Sequence, residues 1–168
     1  MIKQQLKLNL MADYFQFYLQ DESAKGDLSD SWGPEAVDRL LAVAPGAVGV
    51  GTVRNMAVPV SVEVLDAEPE NDAESWDHVT ECGLAVPTGR IVIAGCTDYF
   101  PDATRIEVSP GPYRIRISYG SLNSLSVDGL SGNDHYRVQL WPGPTVEPRV
   151  LKQRAAFYDA PAVKPSNG

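Results

Sequence analysis

Residues 112–120, PYRIRISYG, decide the fold of this chain. Apolar residues stand at every second position of the stretch, from Tyr113 to Tyr119. The positions between them are polar: Arg114, Arg116 and Ser118. Because successive side chains of a β-strand point to opposite faces of the sheet, one face of this strand is apolar and the other polar. The stretch therefore predicts an antiparallel strand that is half buried, with one side in water.

The same alternation recurs along most of the chain. Apolar residues alternate over residues 6–21, with a shift near Ala12 that indicates one long bent strand or two short ones. Pro59 cannot donate a hydrogen bond to a neighbouring strand, so we expect it at a sheet edge or a bulge. Further strands are predicted over residues 47–53, 56–66, 82–87, 89–95, 104–109 and 135–143.

One segment is typical of a helix. Pro34 suits a first helical position, and the acidic residues that follow it, Glu35 and Asp38, favour the early turns. The apolar residues of this segment lie along one side of a helix, and Pro45-Gly46 ends that pattern. A short α-helix is therefore predicted near residues 34–44.

Many alternating strands and a single helix predict a mainly β fold, a two-sheet antiparallel β-sandwich. The length of 168 residues suits one domain. We expect a single β-sandwich domain over residues 1–155 and a flexible C-terminal tail over residues 156–168.

The chain carries a formal net charge of −8. Binding to phosphates needs a basic surface, so we expect no direct nucleic-acid ligand. The charge suits a basic protein partner, although acidic residues also serve solubility alone. The sequence contains neither a typical secretory signal nor an apolar run of membrane-spanning length, so we expect a cytoplasmic protein that does not bind a membrane.

Catalytic and metal-binding patterns are nearly absent. The two histidines, His78 and His135, each follow an aspartate, but adjacent residues of a strand point to opposite faces and are not prearranged for base catalysis. A hydrolase built on Asp134 and His135 would also lack a nominated nucleophile. Cys82 and Cys96 are expected to be reduced, small, buried apolar residues. We therefore expect no enzyme activity, no cofactor and no metal site.

The order of residues in the N-terminal half resembles the competence protein J family. The residues and segments that carry the resemblance are Tyr14, Gln16-Phe17, Trp32 ahead of the helix with Ala36, then Ala42, Gly46 and Arg54-Asn55, followed by HVTECGLAV (78–86) and SPGPYRIRIS (109–118). Members of this family inhibit the DNA-entry nuclease of competent bacteria. We interpret Trp32 as the start of the helix and Gly46 as its end. The pair Arg54-Asn55 is interpreted as a hairpin turn.

Two segments are candidates for a partner-binding surface. Residues 66–81, DAEPENDAESWDHVTE, carry seven acidic side chains and no Lys or Arg, which is typical of a solvated loop and also of an edge that faces a cationic partner. Residues 96–103, CTDYFPDA, place two aromatic rings among acidic residues, as an anchor for a partner or a cap on the core. The candidate partner-binding residues are Asp66, Glu68, Glu70, Asp72, Glu74, Trp76, Asp77, Asp98, Tyr99, Phe100 and Asp102.

The resemblance implies a protein that binds and inhibits a nonspecific nuclease, in competence or in immunity to a toxin. Such an inhibitor must bind an enzyme surface that is basic, binds DNA phosphates and holds a divalent ion. Carboxylates on an acidic edge of the inhibitor would suit that surface. The alternative is a ligand-binding β-sandwich module that places loop aromatics around a concave site: Trp76, Tyr99, Phe100 and Trp141.

Overall fold

The computed structural model describes residues 2–25 and 27–155. These residues form eleven strands, one α-helix and four short 3-10 turns. The strands are β1 (Ile2–Met11), β2 (Gln16–Asp21), β3 (Leu41–Ala44), β4 (Ala47–Gly51), β5 (Ala57–Leu65), β6 (His78–Val86), β7 (Arg90–Gly95), β8 (Thr104–Glu107), β9 (Gly111–Gly120), β10 (His135–Pro142) and β11 (Arg149–Lys152), and the helix is α1 (Pro34–Arg39). The 3-10 turns span Asp13–Phe15, Leu28–Asp30, Ala73–Ser75 and Phe100–Asp102.

The strands form two sheets, which confirms the predicted mainly β sandwich. The larger sheet has the order β1-β5-β10-β9-β6-β11, and the smaller one the order β3-β4-β2-β7-β8. Neighbouring strands are antiparallel except β5 and β10, which run parallel with Tyr136 opposite Val60. The apolar faces of both sheets contribute to one core of buried residues.

The strand β9 alternates as its sequence predicts. Its apolar residues from Tyr113 to Tyr119 are at most 3% exposed and lie in the core. The prediction that its other side lies in water was wrong, because Arg116 is 2% exposed and Ser118 is fully buried. The connection between β5 and β6 covers this outer face, so the polar side of β9 is an interior surface.

The helix is shorter than predicted. It ends at Arg39, because Leu40 adopts a left-handed conformation with φ 59° and ψ 36° that turns the chain out of the helix. Leu41–Ala44 forms the edge strand β3 against β4 instead. Leu41 and Ala42 are fully buried there, so packing against the sheet decides the conformation of an apolar run that also fits helical spacing.

The strands β1 and β2 belong to different sheets, so residues 6–21 form two strands rather than one bent strand. Arg54-Asn55 likewise lies in a connection between the two sheets, and not in a hairpin turn. Pro59 lies within β5, which has neighbours on both sides, but the pairing with β10 begins only at Val60. The predicted tail over residues 156–168 lies outside the described residues. Over residues 2–25 and 27–155, no helix is long and apolar enough to cross a membrane.

Candidate protein-binding surface

The acidic segment lies flat against the larger sheet. Residues 66–77, here called the acidic strap, leave the end of β5, cross the outer faces of β10 and β9, and lead into β6. Asp72 accepts hydrogen bonds of 2.9 and 2.7 Å from the guanidinium of Arg137 on β10. Glu68 lies 3.3 Å from Arg116 on β9. These arginines come from the polar side of the β9 and β10 strands, so the strap is part of the fold.

The last acidic residue of the segment, Glu81, lies beneath the strap and is 1% exposed. Its carboxylate accepts hydrogen bonds from Arg114 at 2.9 Å, Arg116 at 2.8 Å and Arg149 at 2.6 Å. Burial opposes the charge of this carboxylate, but the hydrogen bonds from the three guanidinium groups prevail and hold the pKa of Glu81 below its ordinary value. Glu81, on β6, is therefore a buried anion that holds together the arginines of β9 and β11.

The segment 66–81, which comprises the acidic strap and the start of β6, is nearly neutral once its contacts are counted. Five basic side chains contact the segment 66–81: Arg114, Arg116, Arg137, Arg149 and Lys152. Against seven acidic residues they leave an excess of two negative charges. The exposed side chains of Glu70 and Glu74 make no hydrogen bond or ion pair with other described residues, whereas Asp77 accepts a hydrogen bond of 2.8 Å from the Leu122 amide.

The aromatic residues predicted to surround a ligand do not gather in one cleft. Trp141 is 3% exposed and lies under the guanidinium groups of Arg114 and Arg116, 5.5 and 5.3 Å from its ring. Trp76 packs on His135, with ring centroids 5.2 Å apart. Tyr99 and Trp76 line separate clefts.

The second candidate segment, residues 96–103, is a loop held by its own acidic residue. Asp98 accepts a hydrogen bond of 2.9 Å from the Gly95 amide. Phe100 lies 5.1 Å from the Arg105 guanidinium, while the Tyr99 side chain is 70% exposed. Neither Asp98 nor Asp102 takes part in an ion pair among the described residues, so their charges face solvent. Cys96 is exposed, which corrects the expectation that both cysteines are buried.

A surface that the sequence reasoning missed lies beside this loop. Tyr14 and Phe15 both adopt left-handed backbone conformations, with φ of 61° and 60°. This region costs a residue with a side chain about 1–2 kcal/mol, and such strain concentrates at functional sites. Their side chains are nevertheless 73% and 53% exposed, so burial of the rings does not offset the strain.

Hydrogen bonds hold this aromatic turn in place. The side-chain oxygen of Asn55 accepts a hydrogen bond of 2.7 Å from the Tyr14 amide, and the Thr52 amide donates one of 2.9 Å to the Phe15 carbonyl. The hydroxyl of Thr97 donates to the Asp13 carboxylate, which joins the turn to the second candidate segment. Three connections between strands therefore form one surface.

Behind the turn lies a buried ion pair. The guanidinium of Arg54 is 2.8 Å from the carboxylate of Asp134, which is fully buried. The hydroxyl of Tyr136 donates to the same carboxylate at 2.7 Å and accepts a hydrogen bond of 3.1 Å from the Val53 amide. Asp134 thus fixes the connection that carries Asn55, and its side chain does not pair with His135.

An apolar cleft of about 480 Å³ opens next to the aromatic turn. The side chains that line it include Tyr14, Phe15, Trp32, Val37, Leu125 and Arg154. The indole of Trp32 donates a hydrogen bond of 3.0 Å to the Gln16 side chain, which fixes one wall. Trp32 precedes the helix as predicted, although the residue that caps it is Gly33. The family resemblance contained Tyr14, Trp32 and Asn55, which was the signal available for this surface.

The histidines occupy separate environments. His78 is buried, with one ring nitrogen 2.7 Å from the Arg39 carbonyl and the other accepting a hydrogen bond of 3.0 Å from the Arg154 amide. Burial lowers the pKa of His78 below 6.5, more than the bond to Arg39 raises it. No group of three or more His, Cys, Asp or Glu side chains over the described ranges is placed to hold a metal ion.

The fold is similar to that of two solved structures. One is ComJ from Bacillus subtilis, described as an inhibitor of the DNA-degrading activity of NucA, with a TM-score of 0.63, 19% identity, and coverage of 85% of this chain and 99% of that chain. The other is described as crocagin biosynthetic gene J, with a TM-score of 0.57, 17% identity, and coverage of 86% and 100%. No family model matches the chain, and no curated protein matches it. The similarity to the ComJ structure confirms the resemblance to the competence protein J family at the level of the fold.

Proposed function

We propose that this chain binds and inhibits a nonspecific nuclease in the cytoplasm. The observation that carries the proposal is the fold shared with ComJ over 99% of that chain, because ComJ is described as an inhibitor of the nuclease NucA. A shared fold alone does not fix a function, so the surface must also suit a nuclease.

The charge of the chain supports this partner. A nonspecific nuclease grips DNA through phosphates and therefore presents a basic surface, which attracts a protein with a net charge of −8. Carboxylates of the inhibitor would occupy the phosphate sites of the enzyme and exclude DNA from them. The candidate carboxylates include Asp98 and Asp102, which no cation among the described residues neutralises.

The test is capture of the nuclease from an extract of the organism that encodes the chain. Full-length chain is immobilised, bound proteins are eluted, and each is identified and assayed for metal-dependent degradation of plasmid DNA. We expect a basic nuclease whose purified activity falls when free chain is added. The proposal is wrong if the eluate contains no nuclease, or if the captured nuclease stays fully active with the chain in excess.

A further inference from the structure

Among the described residues, most of the large apolar side chains that are exposed lie at one end of the sandwich. We define the aromatic end as residues 11–16, 32–40, 52–56, 95–103 and 121–134, the connections around the cleft beside Tyr14 and Phe15. Ten large apolar side chains are exposed among the described residues, and eight belong to the aromatic end: Met11, Tyr14, Phe15, Val37, Met56, Tyr99, Val127 and Leu130. Such a concentration is typical of a protein-binding surface.

The aromatic end also carries much of the uncompensated negative charge. Its segments contain seven acidic residues. Four basic side chains lie within or against them: Arg39, Arg54, Arg154 in the wall of the cleft, and Arg105, which donates to the Phe100 and Ala103 carbonyls. An excess of three negative charges remains. Arg54 is engaged internally by Asp134, and the Arg39 guanidinium donates a hydrogen bond of 2.8 Å to the Leu41 carbonyl. The segment 66–81 retains an excess of two, so charge attracts a basic partner to the aromatic end at least as strongly as to that segment.

The surface is formed before any partner binds. The hydrogen bonds that the Tyr14 amide donates to Asn55 and the Thr52 amide donates to Phe15 fix the backbone of the turn. A methyl group added at Gly95 would lie 2.0 Å from the Met11 carbonyl oxygen, so the chain segments there are closely packed. Aromatic side chains on a rigid turn lose little freedom on binding, which is the property of an interface anchor.

We infer that the aromatic end is the docking surface for the nuclease, with Tyr14 and Phe15 as the anchor. This inference rests on the proposed function. The partner is a basic protein that inserts an apolar side chain into the cleft between Tyr14 and Val37 and places Lys or Arg side chains against the surrounding carboxylates. The acidic strap then serves the fold, and its exposed residues lie outside the interface.

Photo-crosslinking tests this assignment. Tyr14 is replaced by p-benzoylphenylalanine in one full-length variant, and Glu70 of the strap in a matched control, because both side chains are exposed. Each variant is irradiated in the extract of the encoding organism, and the products are identified by mass spectrometry. We expect a nuclease attached at position 14 and none at position 70.

Each other outcome overturns the inference and separates it from the proposed function. A nuclease attached only at position 70 leaves the inhibitor proposal standing and removes the aromatic end from the interface. Products that join two copies of this chain, or two parts of one copy, show that the cleft has another occupant. If neither position captures a nuclease and the immobilised wild-type chain captures none, the proposed function fails as well.

A pair of variants provides the second measurement. Tyr14→Asn with Phe15→Asn removes both rings, while asparagine tolerates the left-handed conformation better than most residues, so the fold is retained. We expect the inhibition constant for the captured nuclease to rise about 30-fold or more. The control, Glu70→Lys with Glu74→Lys, is expected to change it by less than about fivefold. Equal changes, or a larger change in the control, contradict the assignment.

Discussion

Replacement of Glu81 by Gln tests whether the acidic strap region is held by a buried anion. Glu81 is 1% exposed and accepts hydrogen bonds from Arg114, Arg116 and Arg149. The amide of Gln has no charge and only one acceptor oxygen. Among the described residues, Arg116, which is 2% exposed, then keeps only the half-exposed Glu68 at 3.3 Å as an anionic partner.

Removal of one partner from a buried ion pair costs about 3–5 kcal/mol, because the other charge stays buried without compensation. We therefore expect Glu81→Gln to lower the free energy of unfolding by about 3 kcal/mol or more, which corresponds to about 6–12 °C in melting temperature for a domain of this size. Urea denaturation followed by circular dichroism measures the change.

Glu68→Gln is the matched control. Glu68 contacts Arg114 and Arg116, but its side chain is 52% exposed, so its ion pairs contribute at most about 1 kcal/mol. A loss below about 1 kcal/mol for Glu81→Gln, or an equal loss for both variants, would refute the reasoning that burial makes Glu81 the essential anion.

Three further predictions concern other parts of the molecule. Burial holds the pKa of His78 in the folded state below 6.5, so its contribution to stability is complete above pH 6.5 and is lost as the pH falls toward the folded-state pKa. We therefore expect the free energy of unfolding, measured by urea denaturation, to decrease from pH 6.5 to about pH 5. The variant His78→Gln should flatten this dependence on pH. Asp134→Asn should cost about 3 kcal/mol by the same assay, since Arg54 stays largely buried without its anion, and a cost below about 1 kcal/mol contradicts this. Gly95→Ala should lower the melting temperature by several degrees, because the new methyl group would meet the Met11 carbonyl oxygen; an unchanged melting temperature would show that the turn can shift.

The sheets could be predicted from the sequence because their signal is local. The alternation in β9 needs only neighbouring residues to be visible, and it placed Tyr113 and Tyr119 in the core correctly. The parallel pairing of β5 with β10 joins Val60 to Tyr136, and no local pattern indicates such a distant partner. The predicted end of the helix was wrong for a related reason, since the apolar residues of Leu41–Ala44 suit a buried strand as well as the apolar face of a helix.

The acidic segment shows why composition alone does not define a surface. Residues 66–81 contain no Lys or Arg, yet their cations come from β9, β10 and β11, such as Arg137 for Asp72. Only the folded arrangement reveals that pairing. Which of the candidate residues meet a partner stays a prediction.

The aromatic turn was missed because left-handed backbone is rarely expected at aromatic residues. Tyr14 and Phe15 follow the shift near Ala12, and the spacing of Phe15 fits the apolar alternation that continues into β2. Its φ of 60° instead turns the ring out of the core. A break in periodicity next to two aromatic residues was the only local sign of this surface.

The most direct test of nuclease inhibition is the initial rate of DNA degradation by the captured nuclease, titrated with full-length chain at about 50 mM and about 300 mM salt. We expect the rate to fall to near zero as the chain exceeds the enzyme, and inhibition to weaken at the higher salt because opposite charges at the interface are screened. An undiminished rate with the chain in excess at both salt concentrations would contradict nuclease inhibition.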